Sequence, residues 1–316
     1  PKRSTLTQQL CFFNYLTTRS NNTGSTFVAY IDFSKAFDKI SHNKLLHVLK
    51  HCKVNINILN WISNWLHQRK QQTIVKGRLS EVSSVTSGVP QGSVLGPLSF
   101  ALYLESLLLK LSLNCKSCRT YAYADDLKIS SNNIDELQTA LNLVHSWSLN
   151  WNLIIQPTKS EIISFYNKKN THVIQNFHVN KTSLPHNDSV KDLGIILSSN
   201  FKWSTQIQKT LSKTAGLAFT ILRSFQSTNP SIYVNLFKTY VRPIIEYNSS
   251  TWNPILLTEI RNLEKIQRKF TRYVCNKLNI SYQNYFHRLK ILNIQSLEER
   301  RIKTDLTILY KILNEL

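Results

Sequence analysis

The stretch Tyr121-Ala122-Tyr123-Ala124-Asp125-Asp126-Leu127-Lys128-Ile129 constrains this chain more than any other. Two aspartates stand together between two runs, 119–123 and 127–130, that favour strands. Aspartate is depleted in strands, so the pair marks the tip of a hairpin. Carboxylates crowded at a turn cost stability unless a cation joins them, and hard divalent ions take oxygen ligands. Taken alone, the dipeptide fits a solvent-exposed turn just as well. The segments upstream decide between the two.

Composition limits the partners. The chain has 316 residues, enough for one large core or two ordinary ones. Apolar residues make up 42% and charged residues 18%, a globular rather than a disordered balance. Lys and Arg number 39 against 18 acids, a formal charge of +21, which points to a polyanion such as nucleic acid. The excess is concentrated, with 18 basic and 7 acidic residues in 201–316. Five cysteines (Cys11, Cys52, Cys115, Cys118, Cys275) show no framework spacing. That fits a reducing compartment, nucleus or cytoplasm, and not a secreted protein. The one Cys-x-x-Cys, 115–118, has no second pair to complete a zinc site. The most apolar run, 97–113, is interrupted by Glu105 and Lys110, so no membrane span is expected. The chain has no methionine, not even at position 1, and reads as a segment of something longer.

Periodicity predicts helices over 6–18, 44–50, 57–67, 97–111 and 134–149, with a loop at 21–24. Strands are predicted at 26–31, at 72–76 and 81–86 as a hairpin around Gly77, and at 153–155 paired with 161–165. Short strands continue to 197. Helices then dominate at 205–225, 231–240, 257–273 and 295–313, which places a boundary near 200.

The apolar strand 26–31 ends on Asp32 and so delivers a third carboxylate to an edge. Three carboxylates brought together repel unless metal ions join them. Two Mg²⁺ about 3.5–4 Å apart can activate an attacking oxygen and stabilise a leaving one. At this level a polymerase and a two-metal nuclease are equally compatible.

Order and spacing then point to a family. The series Phe27-Val-Ala-Tyr-Ile-Asp32-Phe-Ser-Lys-Ala-Phe-Asp38-Lys-Ile-Ser-His42, Ser87-Gly-Val-Pro-Gln-Gly-Ser-Val-Leu-Gly-Pro97-Leu and Tyr123-Ala-Asp-Asp126 resembles the reverse transcriptases of non-LTR (LINE-like) retrotransposons, with a Jockey-like texture. The resemblance begins at Arg3-Ser4-Thr5-Leu6-Thr7-Gln8 and continues through 152–165, 190–195, 240–252 and 260–272. It implies an α+β fold: a right-hand polymerase palm, an antiparallel sheet backed by helices, with a C-terminal mainly helical thumb. The expected parts are a remnant of the fingers in 1–26, palm with primer-supporting strands in 27–200, and thumb in 201–316.

The resemblance also implies roles. Asp32, Asp125 and Asp126 match the metal-binding carboxylates, with the Phe33 carbonyl as a further ligand, for two Mg²⁺ ions that Mn²⁺ can replace. Ser34, Lys35 and Ala36 match positions beside the triphosphate. Phe37 matches the aromatic that excludes a ribose 2′-OH; alone it reads equally as core. Gln91 and Gly92 match the loop that meets the nucleotide and the template base. Lys159 matches a donor to leaving pyrophosphate. Arg261, Lys265, Arg268, Lys269 and Arg272 fall on a basic helix that tracks an RNA–DNA duplex without sequence preference. Asp38 has no chemical role in this reading. The function implied is an RNA-directed DNA polymerase, with RNA template, DNA primer and dNTPs as partners and with endonuclease and fingers expected upstream in cis. The alternative is a non-catalytic nucleic-acid-binding relic lacking fingers. One departure is Tyr103-Leu104-Glu105-Ser106 where the family has Tyr-Ile-Asn-Asp, expected to be a surface change.

Overall fold

The computed structural model describes residues 4–23, 25–166 and 174–315. Arg3 and Gly24, both used above, lie outside them. Helix α1 (Thr5–Thr23) runs past the expected end at 18 and takes up Asn21 and Asn22. The chain divides into two compact units, Leu16–Asp188 and Pro1–Tyr15 with Ser189–Leu316.

In the first unit the apolar run before Asp32 becomes strand β1 (Thr26–Ile31), buried at all positions but Tyr30. Helices α2 (Ala36–Lys39), α3 (His42–His51) and α4 (Ile56–Leu66) follow. The hairpin expected at 72–76 and 81–86 is instead two short ladders. β2 (Lys70–Gln71) pairs with β5 (Ser83–Ser84), and β3 (Ile74–Val75) pairs with β4 (Arg78–Leu79). All eight residues are exposed, so no burial rewards longer pairing.

Next come α5 (Leu95–Asn114), β6 (Arg119–Tyr123), β7 (Asp126–Ser131), α6 (Ile134–Trp151), β8 (Glu161–Phe165), and the small pair β9 (His178–Val179) and β10 (Thr182–Ser183). Four strands form one antiparallel sheet in the order β6-β7-β1-β8. β8 therefore pairs with β1 and not with 153–155, from which Ile155 alone makes a bridge, to Phe33. Asn152, in a left-handed conformation after α6, turns that segment alongside residues 32–34.

One face of the sheet supplies Phe27, Ala29, Ile31, Leu127, Ile129 and Ile162 to a core shared with α5 and α6. By length and composition α5 could cross a membrane. Here it is a core helix, with Phe100, Tyr103, Leu104, Leu107 and Leu111 buried. The 103–106 departure is not a surface change. Tyr103 and Leu104 are buried, and Ser106 Oγ accepts the Trp147 indole N–H at 2.9 Å. Only Glu105 is exposed.

In the second unit, hairpin β11 (Ser189–Asp192) and β12 (Ile195–Ser198) precedes helices α7 (Ser204–Ser224) and α8 (Pro230–Leu236). The expected helix to 240 widens into a π-helical turn, Phe237–Val241, before α9 (Arg242–Glu246), whose Pro243 has no N–H to donate. α10 (Ser249–Trp252), α11 (Leu257–Lys277), α12 (Tyr285–Ile291) and α13 (Leu297–Leu313) complete it. The strand pair expected with the palm packs here, because Ile195 joins the helical core and Ile196 N–H donates to Gln206. Gln9 of α1 donates to the Asp192 carbonyl at 2.7 Å and accepts from Asn248 at 2.8 Å, tying the chain start to the same unit.

Candidate active site

Alternation along the strands decides which side chains share a face. On β1 the residues facing away from the helices are Val28 and Tyr30, and the next in that series is Asp32. On β7 the same face carries Asp126, Lys128 and Ser130. The register pairs Ile31 with Leu127, so Asp32 falls beside Asp126 at the end of the sheet. Ala124 and Asp125 make the two-residue turn between β6 and β7, with Ala124 at φ 52°, a strained angle for a residue with a Cβ. Asp32 is half-buried, while Asp125 and Asp126 are exposed. Lys128 is buried on the acidic face, its Nζ 6.0 Å from the ring centroids of Tyr30 and Tyr121.

The backbone around Asp32 is pinned from one side. Its N–H donates to Ser160 Oγ at 3.1 Å and its carbonyl accepts from Gln156 N–H at 2.9 Å. Ser34 N–H donates to the Ile154 carbonyl at 2.8 Å. Between these bonds the Phe33 carbonyl accepts none among the described residues. Lys159 is exposed in the turn that starts at Gln156, so the fold brings that turn to the Asp32 end. Ser160, fully buried and bonded also to the Gln156 carbonyl at 2.9 Å, is a positioning residue that the sequence did not signal.

Loop 87–92 is stitched to α2. Ser87 Oγ donates to the Asp38 carbonyl (2.8 Å), Gly88 N–H to Ile40 (2.8 Å) and Val89 N–H to Phe37 (3.0 Å). Gln91 Nε2 donates to Asp38 Oδ1 at 3.0 Å. Asp38, which has no chemical role in the sequence reading, accepts this bond and so helps fix the Gln91 amide, with Nε2 toward the carboxyl and Oε1 away from it. Phe37 is half-buried and stacked on the buried Phe100, ring centroids 4.7 Å apart at 26°.

Two glycines in the loop differ in what requires them. At Gly88, φ is +82° and a Cβ would stand 2.7 Å from Asp38 Cα; at Gly92, φ is +80° but the Cβ would meet open space. Gly88→Ala is thus expected to cost about 2–4 kcal/mol from the backbone and the overlap together. A urea unfolding midpoint close to the native one would contradict this. His42 Nε2 and Arg69 Nη2 both reach the Gly88 carbonyl at 2.9 Å. Burial, with Arg69 and His67 nearby, lowers the His42 pKa against the raising effect of that hydrogen bond.

Among the described residues no three His, Cys, Asp or Glu side chains converge to cage an ion. Mg²⁺ does not require such a cage. It is usually held by one or two carboxylates plus substrate phosphate oxygens and water. Asp32, Asp126 and the unbonded Phe33 carbonyl are an all-oxygen set of that kind, with Asp125 in the adjoining turn.

In the second unit, α11 buries Leu263, Phe270 and Val274 and leaves Arg261, Lys265, Arg268, Lys269 and Arg272 exposed. The basic positions follow one side over about 16 Å of helix. Arg268 is not a free cation, since its guanidinium lies 4.5 Å from the Tyr285 ring centroid.

The first unit is thus an antiparallel sheet backed by helices, with carboxylates at one strand end, and the second is mainly helical, an α+β architecture. The family model described as reverse transcriptase (RNA-dependent DNA polymerase) matches residues 1–197, and the chain belongs to that family. It is 25% identical over 255 residues to a probable RNA-directed DNA polymerase from the transposon X-element of Drosophila melanogaster. It is 23% identical over 258 residues to the RNA-directed DNA polymerase from the mobile element jockey of the same species. Each alignment covers 78% of this chain and 28% of the relative, so the chain spans under a third of those proteins. Among solved structures, telomerase from Candida tropicalis bound to a telomeric RNA fragment aligns with 95% of this chain and 50% of its own at 12% identity. Its TM-score, 0.48, is too low to bear on function.

Proposed function

We propose that the chain adds dNTPs to a primer 3′ end on an RNA template, as the polymerase domain of a non-LTR retrotransposon. The observation that carries this reading is the placement of Asp32 beside Asp126 at one sheet end, next to the unbonded Phe33 carbonyl. In the reaction the primer 3′-oxygen forms a bond to the α-phosphorus, the bond to pyrophosphate breaks, and the hydroxyl proton passes to solvent. Two Mg²⁺ ions, which Mn²⁺ can replace, held by Asp32, Asp125, Asp126 and the Phe33 carbonyl, would lower the pKa of the attacking hydroxyl and neutralise the leaving oxygen.

The protein's own groups do the rest. The pinned 32–34 backbone sets the carboxylate end. Ser34, Lys35 and Ala36 border the triphosphate, and Lys159 donates a proton to departing pyrophosphate. Gln91, held by Asp38, and Gly92 meet the nucleotide and the template base. The α11 cations track the phosphates of the duplex, giving salt-dependent affinity without sequence preference.

Phe37 sets the sugar choice under this reading. The test is extension of oligo(dT) on poly(rA) with dTTP or with UTP. Wild type should use dTTP and reject UTP, and Phe37→Val should admit UTP roughly 10- to 200-fold better by vacating ring volume. Equal use of both nucleotides by wild type, or primer shortening without any dNTP, would contradict the proposal.

A further inference from the structure

Beside the 87–91 loop lies a cavity of about 750 Å³ lined by Lys35, Lys39, Arg69 and Lys70, with Asp38 as the lone acid. It shares Arg69, Lys70 and the 84–86 segment with a neighbouring cavity of about 810 Å³ that has no acidic lining residue. The two cavities adjoin at those shared residues, and the pair is called the groove. Its acid is engaged by Gln91. The ammonium groups of Lys35, Lys39 and Lys70 have no hydrogen-bond or ion-pair partner among the described residues. Arg69 differs from them: Nε donates to the Leu66 carbonyl at 3.2 Å and Nη2 to Gly88 at 2.9 Å, which fixes the fork and leaves Nη1 for a ligand. Four cations along one groove repel one another, and a fixed guanidinium is suited to an oxyanion.

We propose that this groove binds phosphate groups through Arg69, Lys39, Lys70 and Lys35, its four cations taking successive phosphates of a nucleic-acid strand. The proposal rests on the polymerase reading for its choice among anions. The same phosphate chemistry is carried by a strand backbone and by a nucleotide triphosphate, and two binding measurements separate them.

The variant Lys39→Gln/Lys70→Gln removes two exposed charges and spares the hydrogen bonds of Arg69. It is compared with Lys50→Gln/Lys53→Gln, a charge-matched control outside the groove. Fluorescence anisotropy with a labelled RNA–DNA hybrid, run from low to high salt, should show the slope of log K against log salt fall by about 1.5 in the groove variant only. A triphosphate site would instead leave that slope unchanged and weaken dTTP binding, read by calorimetry, several-fold. Wild-type values in both measurements would overturn the proposal, as would equal losses in the control. Neither readout needs catalysis. A chain that binds the hybrid through the groove without extending a primer would therefore count against the polymerase reading alone.

Discussion

Asp32→Asn should slow single-nucleotide addition by roughly 10³-fold while leaving folding and hybrid binding near wild type. The substitution keeps the volume of the side chain and exchanges one charged oxygen for an amide. The backbone bonds that fix this position, from its N–H to Ser160 and to its carbonyl from Gln156, do not involve the side chain and survive. The loss should therefore be in the rate at saturating dTTP, not in template affinity. A variant that polymerises within about tenfold of wild type would mean that Asp32 is only a strand-end acid. Loss of both folding and binding would mean that its role is structural.

Glu264→Ala should unfold or severely loosen the helical unit, at a cost of about 3–5 kcal/mol. Glu264 is on the buried side of α11, only 4% exposed. Its carboxylate accepts from the Tyr285 hydroxyl and from the first N–H groups of α13, Leu297 at 3.2 Å and Glu298 at 3.1 Å. It thereby caps α13 and holds charge at the positive end of the helix. Burial, together with this carboxylate, raises the Tyr285 pKa. Burial lowers the Arg301 pKa, and Glu264 is the largest influence opposing that. Removal leaves a hydroxyl and two N–H groups without their acceptor and takes a compensating charge from the buried Arg301. Glu264→Gln keeps the shape and should cost less. Equal stability of Glu264→Ala and wild type in urea unfolding followed by circular dichroism would contradict this account.

Elements bounded by a continuous pattern are legible in the sequence. The apolar run closed by Asp32 gives β1 at its actual limits, and 119–123 and 161–165 likewise. Period-2 patterning marks 161–165 as a strand but does not name its partner, because β1 lies more than a hundred residues away. Helices of four and seven residues, α10 and α12, are too short for periodicity to reveal. Single polar residues are harder still. Nothing adjacent to Ser160, Asp38 or Arg69 in the chain indicates that their partners are Asp32, Gln91 and Gly88. The family was legible from the motifs at 27–42, 87–98 and 123–126 because a fixed order of residues, and not a contact, carries them.

The most direct test is extension of oligo(dT) on poly(rA) with Mg²⁺ and dTTP, with wild type run beside Asp125→Ala. Extension by wild type that the variant lacks is the result predicted. No extension by wild type, with salt-sensitive hybrid binding retained by both proteins, would contradict it and leave a nucleic-acid-binding fold without the reaction.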